Sequence, residues 1–140
     1  MQFVIFHGSF GSPEGNWFPE LKEKLEAFGQ KVIVPQFPTE TWEEITKAGP
    51  NVAPKYQSLE NWLAVFAKVY RDLKSGEPLC FIGHSLGPVF ILHVVDRFNI
   101  QLDSAIFVSP FFVSPFTESL NLAKFWQFDH VNNSFYKKRF

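Results

Sequence analysis

The sequence contains little that would suit an oxidising compartment, a membrane or a nucleic acid. It has one cysteine in 140 residues, so no disulfide can form within the chain, and we predict a cytoplasmic location. Lysine and arginine (13) nearly balance aspartate and glutamate (14), and a net charge of −1 provides no field that would hold a polyanion. No apolar run approaches the roughly 20 residues that cross a bilayer, and the N-terminus lacks a signal-peptide pattern. We therefore expect neither nucleic acid nor membrane as a partner.

Apolar and aromatic side chains are abundant: 46% of the residues are hydrophobic and 18% are aromatic. A chain of this size buries roughly 65 to 70% of its unfolded surface around one core, so this composition is sufficient for a single domain over residues 1–140. The cysteine, Cys80, stands between Leu79 and Phe81, and this apolar setting predicts an unreactive strand residue.

Four short apolar runs predict strands buried on both faces, at residues 3–6, 31–34, 79–82 and 104–108. Four helical patterns lie between these runs. The first starts from an Asn16 N-cap and ends before Gly29, and the second is a short turn of helix at residues 42–46. The third runs from a Ser58 N-cap to Leu73, and the last covers residues 88–98. This alternation predicts an α/β fold, a three-layer doubly wound parallel sheet. Sites in such sheets lie at the carboxyl ends of the strands.

Residues 83–87, Gly-His-Ser-Leu-Gly, form a G-x-S-x-G sequence between the third predicted strand and the last predicted helix. This context is typical of a nucleophile elbow, a tight turn that presents a serine hydroxyl. The two glycines are needed because a Cβ at either position would collide where strand and helix converge. We predict Ser85 as the catalytic nucleophile, with Gly83, His84 and Gly87 as the other elbow residues.

Two backbone donors are predicted to stabilise an oxyanion at this serine. The N–H of Leu86 would lie at the positive end of the following helix. The second donor is expected from the loop after the first strand, residues 7–11, with the N–H of Ser9 preferred and that of Phe10 as the second choice. The alternative is that the glycines of this loop simply turn the chain and that His7 only orders it.

A serine nucleophile needs a base that a third group holds in place. His7 is close to the predicted site but has no evident carboxylate partner, and His84 and His93 are expected to be packing residues. Asp129-His130 is a further candidate, although immediate neighbours in an extended chain point to opposite sides. No spacing of potential ligands matches a zinc or calcium site, so we expect no metal.

Five segments carry a resemblance to a known family: HGSFGSPEGNWF (7–18), VPQFP (34–38), SLENW (58–62), GHSLG (83–87) and FVSP (107–110). They resemble the small single-domain α/β-hydrolases related to retinoblastoma-binding protein nine and its bacterial esterase-like relatives. The resemblance implies an α/β-hydrolase fold and a serine hydrolase that acts on small ester or related acyl substrates through Ser85, with no metal or organic cofactor. Members of that family continue into strands that carry the triad Asp and His. We therefore expect this chain to be C-terminally truncated and to lack the last strands.

The predicted fourth strand would then be an edge strand that is apolar on both faces, which proteins normally avoid. We expect a homodimer formed through the exposed edge near Ile106, an exchange of tails, or a fragment of a longer hydrolase. Two functions remain open from sequence. The first is a serine hydrolase whose base lies in a missing segment or a partner chain. The second is a catalytically inactive relative that serves as a binding or interaction module.

Overall fold

The computed structural model describes residues 1–49 and 54–110. Within them, four parallel strands form one sheet in the order β2-β1-β3-β4. The strands are β1 (Gln2–Phe6), β2 (Lys31–Ile33), β3 (Leu79–His84) and β4 (Ser104–Val108). All four predicted strands are confirmed.

Four helices accompany the sheet: α1 (Phe18–Ala27), α2 (Trp42–Ala48), α3 (Leu59–Asp72) and α4 (Gly87–Arg97). The predicted cap of α3 is confirmed, since the Ser58 hydroxyl accepts the N–H of Asn61 at 3.2 Å. The predicted cap of α1 is wrong. Trp17 is the N-cap there, and Asn16 adopts a left-handed φ of +53°. Asparagine suits both a cap and a left-handed turn, so its identity alone does not distinguish them.

Two apolar clusters cover the two faces of the sheet. The larger packs α3 and α4 on one face around rings such as Phe6, Trp62 and Phe81. The smaller packs α1 on the other face around Phe18 and Ile82. Burial of each such side chain stabilises the fold by about 1.5–3 kcal/mol. The predicted three-layer α/β architecture is confirmed.

The direction of winding changes between β1 and β3. From β1 the chain passes through α1 to β2 on one side, and α3 then leads to β3 on the other side of β1. The carboxyl ends of β1 and β3 are paired, with Phe6 opposite Gly83. The loops after these strands therefore face each other at the switch point, where α/β sheets form their sites.

Strand β4 is the last strand of the described sheet, and its Ile106 pairs in register with Ile82. The Ile106 side chain is 49% exposed. Beside it lies an apolar groove of about 270 Å³, lined by Phe3, Trp17, Leu21, Leu25, Ile82, Ile106 and Val108. In the part of the chain that the structure describes, no helix is long and apolar enough to span a membrane.

Candidate active site

Ser85 lies in the tight turn between β3 and α4. Its φ is +58°, in the left-handed region that a residue with a Cβ adopts at a cost of about 1–2 kcal/mol. The Ser85 N–H donates to the carbonyl oxygen of Val108 at the end of β4, at 3.0 Å. The residue is partly exposed. The turn therefore holds a strained serine at the carboxyl edge of the sheet, with its backbone tied to the neighbouring strand.

The two elbow glycines lie where α4 approaches the strand ends. A Cβ on Gly83 would be 2.7 Å from the backbone nitrogen of Pro88, and a Cβ on Gly87 would be 2.6 Å from the carbonyl oxygen of Phe6. Backbone atoms cannot yield as the end of a flexible side chain can. Only glycine therefore fits at either position, and the spacing of the motif follows from the close packing of α4 against β1 and β3.

The loop after β1 begins with a tight turn at residues 8–11. The Gly11 N–H donates to the Gly8 carbonyl oxygen at 3.2 Å, and Phe10 at the third position has a φ of +56°. This is the pattern of a type II turn, in which that position usually holds glycine. The Phe10 ring lies edge-on to Trp42, with 6.0 Å between centroids.

The three N–H groups predicted as oxyanion donors have no acceptor among the described residues. Within residues 1–49 and 54–110, the N–H groups of Leu86, Ser9 and Phe10 donate no hydrogen bond. Leu86 is the N-cap residue of α4, so its N–H lies at the positive end of that helix. These donors stay a prediction, and the loops that carry them lie on the two sides of the switch point.

Backbone strain is concentrated at this edge of the sheet. Of the five described non-glycine residues with positive φ, two are asparagines, which tolerate the conformation. The others are Phe10, Ser85 and Ser109, which follow β1, β3 and β4. Costly conformations that cluster at one place are typical of functional sites.

His7 orders the loop after β1. It is fully buried, its Nδ1 lies 2.8 Å from the Gly8 carbonyl oxygen, and its Nε2 accepts the Phe37 N–H at 2.9 Å. An accepting Nε2 requires the proton to be on Nδ1, which donates to Gly8. Burial lowers the pKa of His7 and keeps the ring neutral. Because both ring nitrogens are engaged, His7 is not available as the base for Ser85.

The two other histidines in the described part of the chain do not serve Ser85 either. The His84 ring packs against Trp17 and Phe18, with centroid separations of 6.0 and 5.9 Å. His93 lies in α4 about two turns from its start, roughly 10 Å along the helix axis. Asp129-His130 lies outside the described residues. Among the residues that the structure covers, the Ser85 hydroxyl has no hydrogen-bond partner.

Metal ligation and thiol chemistry have no support in the described ranges. No group of three or more His, Cys, Asp or Glu residues could hold a metal ion in residues 1–49 and 54–110. Cys80 is 2% exposed, and burial raises the pKa of its thiol, which disfavours the reactive thiolate.

Sequence reasoning missed two polar residues beside the site. The carboxylate of Glu40 accepts the N–H groups of Tyr56 and Gln57, the latter at 3.1 Å. The side-chain Nε2 of Gln57 in turn donates to the Ser9 hydroxyl oxygen at 3.1 Å. Gln57 and Ser9 are 48 positions apart in the chain, and no local pattern signals a contact over such a separation.

The parallel sheet with helices on both faces and a G-x-S-x-G turn after β3 defines the class of protein, an α/β hydrolase. Solved structures agree. A structure described with LipS and LipT, two metagenome-derived lipolytic enzymes, is similar to this chain with a TM-score of 0.63 at 20% identity, covering 87% of this chain and 45% of that one. At this identity the likeness concerns the fold.

Residues 3–137 match the serine hydrolase family, and the chain belongs to that family. It is 30% identical over 132 residues to the putative hydrolase YdeN of Bacillus subtilis, covering 92% of this chain and 61% of that protein. The crystal structure of the B. subtilis ydeN product is similar with a TM-score of 0.51 at 28% identity, covering 75% of this chain and 47% of that one. The chain thus spans less than two thirds of the length of these relatives.

Proposed function

We propose that this protein is a serine hydrolase that acts on small-molecule ester or related acyl substrates, with Ser85 as its nucleophile. The observation that carries the proposal is the geometry of the elbow. Ser85 is held at a φ of +58° between β3 and α4. The contacts that exclude a Cβ at Gly83 and Gly87 explain why the chain turns here in this way.

In the proposed reaction, the Ser85 Oγ attacks the acyl carbonyl carbon, and the electron pair of the C=O double bond moves onto oxygen. The N–H of Leu86 and that of Ser9, or of Phe10, donate to this oxyanion. One such donor contributes about 10²–10³-fold in rate. Re-formation of the double bond expels the alcohol, which takes up a proton. Water then attacks the acyl-serine by the same route, releasing the acid and restoring Ser85.

The proton of Ser85 must pass to a base when the hydroxyl attacks. His7 and His84 are otherwise engaged, so we propose that the base comes from outside residues 1–49 and 54–110, from another segment or from a partner chain. Asp129-His130 is one candidate pair in that part of the chain. The proposed reaction uses no metal or organic cofactor.

We also propose that a second copy pairs at the edge of β4, near Ile106. The apolar groove beside this edge and the 49% exposure of Ile106 favour an apolar partner there. The cytoplasmic location and the absence of nucleic-acid and membrane partners stay predictions from the sequence.

Reaction with a fluorophosphonate probe tests the function. We expect the probe to label the wild-type protein at Ser85, because phosphorus is attacked as an acyl carbon would be and fluoride leaves. Labelling should be lost in Ser85→Ala and kept in Ser75→Ala, a matched change at an exposed serine before β3. If the folded wild-type protein is not labelled, the inactive relative that serves as an interaction module is the better description.

A further inference from the structure

A series of polar contacts joins three loops, one of which carries the proposed second oxyanion donor. It starts at Glu40, after β2, and passes through Gln57, before α3, to Ser9, after β1. Glu40 and Gln57 are buried, with 7% and 3% of their surfaces exposed. Polar side chains this deeply buried require an explanation, because burial removes them from water.

Glu40 fixes the backbone at Gln57. Its two carboxylate oxygens each accept one backbone N–H, one from Tyr56 and one from Gln57. Such charge-assisted bonds are among the stronger hydrogen bonds in proteins. They set the direction in which the Gln57 side chain leaves the main chain, and that side chain reaches the Ser9 hydroxyl.

Of the two polar atoms of the Gln57 carboxamide, only the nitrogen has a hydrogen-bond partner among the described residues. Nε2 donates to Ser9 Oγ, whereas Oε1 is buried with no hydrogen-bond partner among the described residues. A buried oxygen without a partner lowers stability, and a methionine of similar length would avoid that penalty. The contact that sets glutamine apart from such a methionine is the bond to Ser9.

Ser9 is the residue whose backbone N–H is the preferred second oxyanion donor. It belongs to the turn whose Gly8 contacts Ser85, so a change in the orientation of Ser9 changes the donor relative to the nucleophile. We propose that Gln57, held by Glu40, is a positioning residue that aims the Ser9 N–H at the oxyanion formed at Ser85. This inference rests on the proposed function.

The test compares the rate of fluorophosphonate labelling with the thermal midpoint in the full chain. Gln57→Met removes both the donor and the unpartnered oxygen. We expect labelling to slow by about tenfold or more while the midpoint stays unchanged or rises. A purely structural role would lower both together. The matched control is Gln30→Met before β2, whose Nε2 donates to the Phe28 carbonyl oxygen, and it should label at the wild-type rate.

A second variant breaks the same bond from the other side. Ser9→Ala keeps the backbone N–H but removes the hydroxyl that Gln57 holds, at a partly exposed position. Ser9→Ala should slow labelling by a similar factor. The double variant, with Gln57→Met and Ser9→Ala combined, should be no slower than either single variant, because all three proteins lack the same hydrogen bond. This variant decides the question if Gln57→Met fails to fold.

Wild-type labelling rates in Gln57→Met or Ser9→Ala would overturn the positioning role and leave the proposed hydrolase intact. Effects that add in the double variant, or that follow a loss of thermal stability, would overturn it as well. Failure of the wild-type protein to react at all would instead reject the proposed function, and the role of Gln57 with it.

Discussion

Gly8 lies directly against the side chain of Ser85. A methyl group on Gly8 would be 2.6 Å from Ser85 Cβ and 2.9 Å from Ser85 Oγ. Two carbon atoms that are not bonded pack at about 3.5–4.0 Å, so the site has space for glycine only. The loop that carries the predicted second donor and the turn that carries the proposed nucleophile are therefore in direct contact.

Gly8→Ala is expected to displace Ser85 and to slow fluorophosphonate labelling by about 100-fold, since a shift of 1 Å can have an effect of that size. Gly15→Ala is the matched control, because a Cβ there would lie 3.4 Å from its nearest neighbour, the Ser12 carbonyl oxygen. Protection of the buried Cys80 from a thiol reagent reports whether each variant is folded. Labelling of folded Gly8→Ala at the wild-type rate would contradict the close contact.

The left-handed conformation of Ser85 predicts that a glycine variant at this position is more stable than an alanine variant. Ser85→Gly should unfold with a free energy about 1 kcal/mol higher than Ser85→Ala, because glycine adopts a φ of +58° without the penalty of a Cβ. Urea unfolding monitored by tryptophan fluorescence measures the difference. At Ser12, which has no positive φ, the order should be reversed, with alanine the more stable. The same order at both positions would argue against strain at Ser85.

Burial of His7 predicts a loss of stability in mild acid. Burial lowers the pKa of His7, an effect larger than the opposing ones of its bond to Gly8 and the charge of Glu14. Below about pH 6.5 the unfolded chain then binds a proton that the folded protein does not, so the free energy of unfolding falls as the pH falls. His7 contributes at most about 1.4 kcal/mol per pH unit to this change in the free energy of unfolding. The contribution ends once the pH falls below the lowered pKa of His7 in the folded protein.

Urea titrations between pH 7.5 and 5 measure this effect. His7→Gln should remove part of the pH dependence. An unchanged slope in His7→Gln would show that His7 is not held neutral.

Pairing at the edge of β4 predicts a dimer in solution. Light scattering after gel filtration should give twice the mass of the chain, and Ile106→Lys should give a monomer, because a charge on an edge strand opposes strand pairing. Phe28→Lys is the control, a comparable change at a side chain that is 80% exposed beyond α1. A stable wild-type monomer at micromolar concentration would exclude the dimer.

The strands and the turn at residues 83–87 could be predicted because their signals are local. A short apolar run or a β-branched triplet such as Val32-Ile33-Val34 is compatible with few kinds of local structure. A G-x-S-x-G sequence between such a run and a helix is compatible with even fewer. The Asn16 cap was wrong because asparagine satisfies two competing local geometries. The hydrogen bond of Phe37 to His7 joins residues 30 positions apart, and only the folded sheet brings them together. The link from Gln57 to Ser9 was missed for the same reason.

The hydrogen bond from the Ser85 N–H to the Val108 carbonyl oxygen also bears on synthesis of the protein. During translation the serine leaves the ribosome before the strand that anchors it. This hydrogen bond can form only once residue 108 has emerged, so the turn that holds the proposed nucleophile gains this anchor late in the growth of the chain.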